Sequence, residues 1–196
     1  MITASQLYRK RCFDILLALL LIPFLIIPIF LLIGVCSIDT KKWGLFSQNR
    51  IGQHGRLFTI YKLRTLKEGT HTLGELETNA TLFGKFLRRT KLDELPQLYN
   101  VLVGDMSFVG PRPDLEGFAD QLKGENRIVL ILKPGITGPA TLKYRNEERV
   151  LGRQKDPEHY NRTIIWVDKV KINKKYVENY SFYLDLILIF KSIFNK

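Results

Sequence analysis

Cysteine is scarce in this 196-residue sequence. Cys12 and Cys36 are the two present and no C-x-x-C occurs, so a disulfide framework beyond one bridge is excluded and a reducing compartment is expected. The three histidines are scattered without zinc-site spacing, which makes zinc chemistry a poor expectation. No G-x-x-x-x-G-K-[ST] loop, kinase motif, internal repeat or low-complexity segment is present. Acid is also in short supply, with 19 acidic residues against 30 basic ones and a formal net charge of +11. That imbalance points to a polyanionic partner or surface. Zinc-finger cysteines, a basic heptad helix and an aromatic RNA signature are all lacking, so nucleic acid is not expected and anionic lipid is favoured.

What the chain does have is apolar length. Phe13 to Ile38 carries one acid, Asp14, and the stretch from Ile15 to Cys36 is long enough for a helix to cross a bilayer of roughly 30 Å hydrocarbon thickness. Two features oppose a simple crossing. Pro23 and Pro28 fall mid-run, where they bend or break a helix. Arg9, Lys10 and Arg11 precede the run while Lys41, Lys42 and Arg50 follow it, so the positive-inside rule pulls both ends to the cytoplasmic face. A re-entrant segment satisfies both pulls and is preferred, with a proline-kinked spanning helix as the alternative.

The remainder reads as one domain with a real core. Leu57 to Tyr61 is a strand delivering Lys62 and Arg64, and Lys67 to Asn79 is a surface loop. Leu115 to Leu122 reads as a short helix and Thr141 to Arg145 as a strand, and a further helix lies within Asp156 to Glu178. Ser181 to Lys196 reads as an amphipathic helix, on the domain or in the membrane interface, with Phe182, Leu186, Phe190 and Phe194 inward.

Chemistry concentrates between Thr90 and Pro113, TKLDELPQLYNVLVGDMSFVGPRP. Pro96 has no N–H and must fall in the first turn of a helix, so Asp93 is expected as its N-cap and Gly104 as its end. Asp93 and Glu94 then sit in the positive field of a helix N-terminus, which favours ionised carboxylates and attracts phosphate. An acid pair in that position is most often simple capping. Here Arg88, Arg89 and Lys91 precede it, and Pro111-Arg112-Pro113 holds a guanidinium between two rigid residues, as bidentate phosphate recognition needs. Adjacent carboxylates among cations suggest phosphate chemistry: one attacks phosphorus while its neighbour holds a divalent cation, magnesium better than zinc.

Leu92-Asp93-Glu94-Leu95-Pro96-Gln97-Leu98, Gly104-Asp105-Met106-Ser107-Phe108-Val109-Gly110-Pro111-Arg112-Pro113 and Lys133-Pro134-Gly135-Ile136-Thr137-Gly138 together resemble the bacterial sugar transferases, the monotopic polyprenyl-phosphate phosphoglycosyl transferases. The match runs over nearly the whole chain and is similar to the small members of the family. The resemblance implies an α+β fold: a re-entrant helix-break-helix over residues 1–40, then a mostly helical cytoplasmic catalytic domain over 41–196. That domain would carry a small β-sheet and surface amphipathic helices, one of them C-terminal. It implies transfer of a phosphosugar from a UDP-sugar to polyprenyl phosphate, releasing UMP through an aspartyl-phosphosugar intermediate.

By the same resemblance Asp93 matches the nucleophile and Glu94 the Mg2+ ligand. Pro111, Arg112 and Pro113 match the nucleotide-diphosphate site, and Lys62, Arg64, Arg88 and Arg145 match basic residues around the phosphates. The expected location is the cytoplasmic face of the bacterial inner membrane, and a homo-oligomer stays open. Departures from the family pattern occur at Leu63, Leu66, Lys91 and Pro139 to Arg145, where many members read L-A-Q-V-N-G-R. The last of these separates Arg145 and the choice of sugar from the family pattern. A reading of a different class is a non-catalytic, membrane-anchored domain that binds anionic lipid or nucleotide.

Overall fold

A computed structural model describes residues 2–69 and 72–194. It opens with helix α1 (Ala4–Thr40), followed by an antiparallel pair, β1 (Leu45–Ile51) and β2 (Leu57–Leu63). Helices α2 (Leu76–Asn79), α3 (Leu82–Thr90) and α4 (Gln97–Val103) come next. Strands β3 (Ser107–Val109) and β4 (Gly135–Thr137) then form a second, parallel pair. Helices α5 (Pro139–Lys143), α6 (Glu147–Leu151), α7 (Pro157–Tyr160), α8 (Trp166–Glu178) and α9 (Phe182–Phe194) complete the chain. The architecture is mostly helical with two small sheets.

Helix α1 runs unbroken through Pro23 and Pro28, where the sequence suggests an interruption. A Thr3–Gln6 capping box starts it and Lys41, in the left-handed conformation, ends it. At 37 residues it is about 55 Å long. Among the described residues it is the one helix long and apolar enough to cross a membrane. Its residues divide by face. Lys10, Asp14, Ala18, Ile33, Cys36 and Thr40 are buried, and Leu21, Ile22, Leu25, Ile29 and Leu32 pack on the same domain. These recur every three or four positions, so one stripe is covered along the helix. Leu16, Leu20, Phe24, Ile27, Phe30 and Leu31 remain exposed on the other side.

Two short local departures from expectation occur. Thr141 to Arg145 is not a strand, because Pro139 supplies the fixed φ of a helix's first position and α5 forms instead. Leu115 to Leu122 contains only a 3-10 turn at Ala119–Gln121.

Helix α9 is amphipathic, but with its inward face displaced from the expected one. Asp185 and Leu188 are buried, while Phe182, Leu186, Phe190 and Phe194 are exposed. The cause is polar. Asp185, 1% exposed, takes Lys10 Nζ of α1 at 2.6 Å and the hydroxyls of Tyr176 and Tyr180 at 2.5 and 3.1 Å. A carboxylate with three donors is cheaper to bury than one without, and the aromatic side is left outside.

Candidate active site

Helix α3 ends at Lys91, whose φ of 62° turns the chain sharply into a 3-10 turn, Leu92–Glu94. Asp93 is therefore not an N-cap, and its side chain bonds no helix amide. Pro96 explains the tighter turn: it cannot donate to Leu92, so the Leu92 carbonyl accepts instead from Leu95 N, three residues on, at 3.2 Å. Leu95 and Pro96 carry helical angles into α4, which Gly104 closes with φ of 98°. The turn's outcome is chemical. Asp93 is 7% exposed, yet its Oδ1 accepts no hydrogen bond. Glu94, 6% exposed, is held: Oε1 takes Lys62 Nζ and Arg112 Nη2, both at 3.2 Å.

The arginine arrives through backbone pairing. Gly110 N donates to Thr137 O at 2.9 Å and Gly135 N to Pro111 O at 2.7 Å, so the G-P-R-P and K-P-G-I-T-G motifs are two sides of one structure. Their approach requires glycine, since a Cβ on Gly110 would lie 2.3 Å from Lys133 O. Lys62 arrives on β2, whose free edge is covered by Asn100 of α4: Oδ1 accepts from Tyr61 N and Nδ2 donates to Thr59 O. Arg50, at the end of β1, donates to Pro113 O at 3.4 Å. Arg50, Lys62, Gln97, Arg112 and Pro113 line a small cleft, floored by Ile60 and Gly135.

Electrostatics separate the two acids. Burial raises the Asp93 carboxyl above its ordinary value and the neighbouring Glu94 charge raises it further, against the pull of Lys62, Lys91 and Arg88. Burial would raise Glu94 as well, but the charges of Lys62, Arg112 and Lys91 outweigh it and hold Glu94 well below the usual carboxylate range. Burial brings Lys62 down to about 8 despite Glu94. Glu94 raises Arg112, while burial and the Arg112 charge lower Arg50 to about 10. Next to the arginine loop, burial lifts Asp114 to about 7.

Of the residues singled out in the sequence, Asp93, Glu94, Lys62, Arg112, Pro111 and Pro113 converge. Arg88 stands near enough for its charge to act on Asp93. Arg64 does not join them: its Nε donates to Trp43 O at 2.8 Å and its guanidinium lies over the Phe46 ring. Nor does Arg145, which donates to Ser192 O of α9 at 3.0 Å, because α5 turns the chain away. Arg50 and Gln97 were missed. Gln97, 1% exposed with Nε2 unpartnered, lies one turn after Asp93, and that i, i+4 relation was the available signal.

The donor set fits magnesium. Glu94 offers a hard carboxylate donor beside the buried Asp93 carboxyl, and magnesium takes one or two carboxylates plus phosphate oxygens. Among the described residues no group of three or more His, Cys, Asp or Glu could cage an ion.

The model of a family described as "Bacterial sugar transferase" matches residues 5–196. The chain is 36% identical over 183 residues to "Uncharacterized sugar transferase EpsL" of Bacillus subtilis (strain 168), across 92% of this chain and 83% of that protein. It is 35% identical over 195 residues to a UDP-N-acetylgalactosamine-undecaprenyl-phosphate N-acetylgalactosaminephosphotransferase of Aeromonas hydrophila, and 32% identical over 214 residues to an undecaprenyl-phosphate galactose phosphotransferase of Salmonella typhimurium. These alignments cover 95% and 96% of this chain but 43% and 40% of the two transferases, so the chain spans less than half their length.

Proposed function

This chain belongs to the bacterial sugar transferase family, and on that premise we propose that it transfers a phosphosugar from a UDP-sugar to a polyprenyl phosphate. The observation carrying the proposal is the Asp93 carboxylate, buried with an uncommitted oxygen beside a Glu94 clamped by Lys62 and Arg112. An Asp93 oxygen attacks the phosphorus bearing the sugar. The bond from that phosphorus to the bridging oxygen breaks, UMP leaves, and an aspartyl-phosphosugar remains. A phosphate oxygen of the polyprenyl phosphate then attacks the same phosphorus, giving the polyprenyl-diphosphate-sugar and restoring Asp93. Lys62, Arg50 and Arg112 line the cleft as counter-charges for the diphosphate, and Gln97 offers an amide donor beside them. A bound Mg2+, with Glu94 as its protein ligand, would neutralise phosphate charge as UMP departs.

The location proposed is the cytoplasmic leaflet of the bacterial inner membrane, with residues 1–40 as the re-entrant membrane element and 41–196 as the catalytic domain, one functional unit. Contacts at both ends of α1 support it. Lys10 near its start pairs with Asp185, and Cys36 near its end packs with Leu63 and Leu87 of the same domain. A helix crossing roughly 30 Å of hydrocarbon would carry one end away from that domain. The apolar outer face of α1 is then the side given to lipid.

The deciding assay incubates the purified protein with Mg2+, a panel of UDP-sugars and polyprenyl phosphate, and measures UMP. Release that depends on one UDP-sugar and on the lipid is expected. Binding of UDP-sugar or anionic lipid without turnover would instead leave a non-catalytic anchored domain. The Lys62 ammonium adds a pH signature: kcat/KM for the UDP-sugar is expected to fall as pH rises through about 8, and Lys62→Arg to carry that limb upward. Stability moves the other way. The ordinary lysine value is 10.5, so between about 8 and 10.5 the unfolded chain binds more protons, and folding gains as pH rises. Alkaline unfolding at this group therefore cannot imitate the loss of activity. An unchanged limb in Lys62→Arg would remove Lys62 from phosphate binding.

A further inference from the structure

We propose that Asp14 of the membrane helix α1 is a positioning residue for the arginine loop, assisted by Arg11, so that the seat of α1 sets the geometry of the phosphate site. This rests on the phosphate-transfer reading of that site. Asp14 is 2% exposed, and its Oδ1 accepts two hydrogen bonds from β3, Phe108 N at 3.0 Å and Ser107 Oγ at 3.1 Å. Four residues beyond Phe108, Arg112 meets Glu94. One turn before Asp14, Arg11 donates from Nη1 to Val101 O at 2.6 Å and from Nη2 to Leu102 O at 2.8 Å. Those carbonyls end the helical run that begins with Asp93 and Glu94.

The connection between the two catalytic arms is thus pinned from outside at both ends. Within it the Asn100 carbonyl accepts from Gly104 N, Asp105 N and Met106 N at 2.9 to 3.1 Å, a tight reversal with little freedom of its own. A guanidinium on α4 and a carboxylate on β3, held three residues apart on one rigid helix, fix the offset between the acid turn and the arginine loop. Neither α1 side chain lines the cleft. Their action passes through the backbone of Ser107 to Arg112.

The test uses the full chain in detergent micelles, with UDP as the binding probe. Asp14→Ala is expected to weaken UDP binding and raise KM for the UDP-sugar by on the order of tenfold or more, with a smaller change in kcat. It is also expected to speed amide hydrogen exchange across residues 107–113 while α8 stays protected. Asp14→Asn should recover most of the binding, because its carboxamide oxygen accepts the same two bonds. If Asp14→Ala does not fold, Ser107→Ala removes one bond without touching α1 and should show the same pattern at a few-fold. Variants whose folded fraction keeps wild-type UDP affinity, KM and exchange over 107–113 would overturn the proposal and leave Asp14 a purely structural acceptor. A wild-type protein that releases no UMP would refute the transfer reading instead, and the exchange pattern would still decide the role of Asp14.

Discussion

Asp93→Asn is expected to abolish turnover, with UMP release falling to background and no covalent phosphosugar adduct detectable by intact-protein mass spectrometry. The substitution is nearly isosteric and the side chain caps no helix, so the fold has little reason to respond. Replacing a buried carboxylate, already strained by burial and by the Glu94 charge, should leave stability unchanged or raised. What disappears is the proposed nucleophile, and its neighbour is not free to replace it: Glu94 is engaged by Lys62 and Arg112 and held strongly acidic. Losses on removing a nucleophile reach roughly a millionfold in kcat. An Asp93→Asn protein that kept releasing UMP at a tenth of the wild-type rate would place the nucleophile elsewhere.

The largest stability loss is expected for Lys10→Met. Lys10 and Asp185 are 5% and 1% exposed at the side chain, and the substitution leaves the Asp185 charge buried with two tyrosine donors and no counter-ion. Breaking such a pair by removing one partner costs about 3–5 kcal/mol, which for a chain of this size corresponds to a fall of roughly 6–20 °C in Tm. Combining it with Asp185→Leu should recover only part, because Tyr176 and Tyr180 then lack their acceptor, at about 1–3 kcal/mol each. Thermal unfolding of the three proteins in the same detergent checks the order. A Lys10→Met protein within 1 °C of wild type would mean the ion pair contributes nothing net, about the outcome of exposed pairs.

What could be read from the chain beforehand tracks how local the determining interaction is. Pro96 and Gly104 delimit the acid helix within a dozen residues, and Pro111-Arg112-Pro113 announces a rigid arginine, so both were legible. The capping role expected of Asp93 was not borne out, because the missing Pro96 N–H is accommodated by a 3-10 turn entered through Lys91 in the left-handed region. The inward face of α9 was hidden for a different reason. Asp185 reads as a surface charge until its partner, 175 positions earlier, is known. Arg145 was assigned by motif position, yet Pro139 redirects the backbone and hands its guanidinium to α9. Arg50 has no signature in one sequence, and Gln97 has only its i, i+4 spacing from Asp93. Their place in the cleft depends on the β1–β2 register and on α4 being laid against β2 by Asn100.

The anchoring of both α1 ends on one domain has a consequence for traffic across the bilayer. If the proposed seating on one leaflet holds, the product is handed back to that same leaflet, and its diphosphate head carries charge that hydrocarbon excludes at a cost of several kcal/mol. The sugar would then stay facing the compartment that supplied the nucleotide. On the proposed one-leaflet seating, a glycan destined for the cell exterior would have to be turned over by a separate carrier.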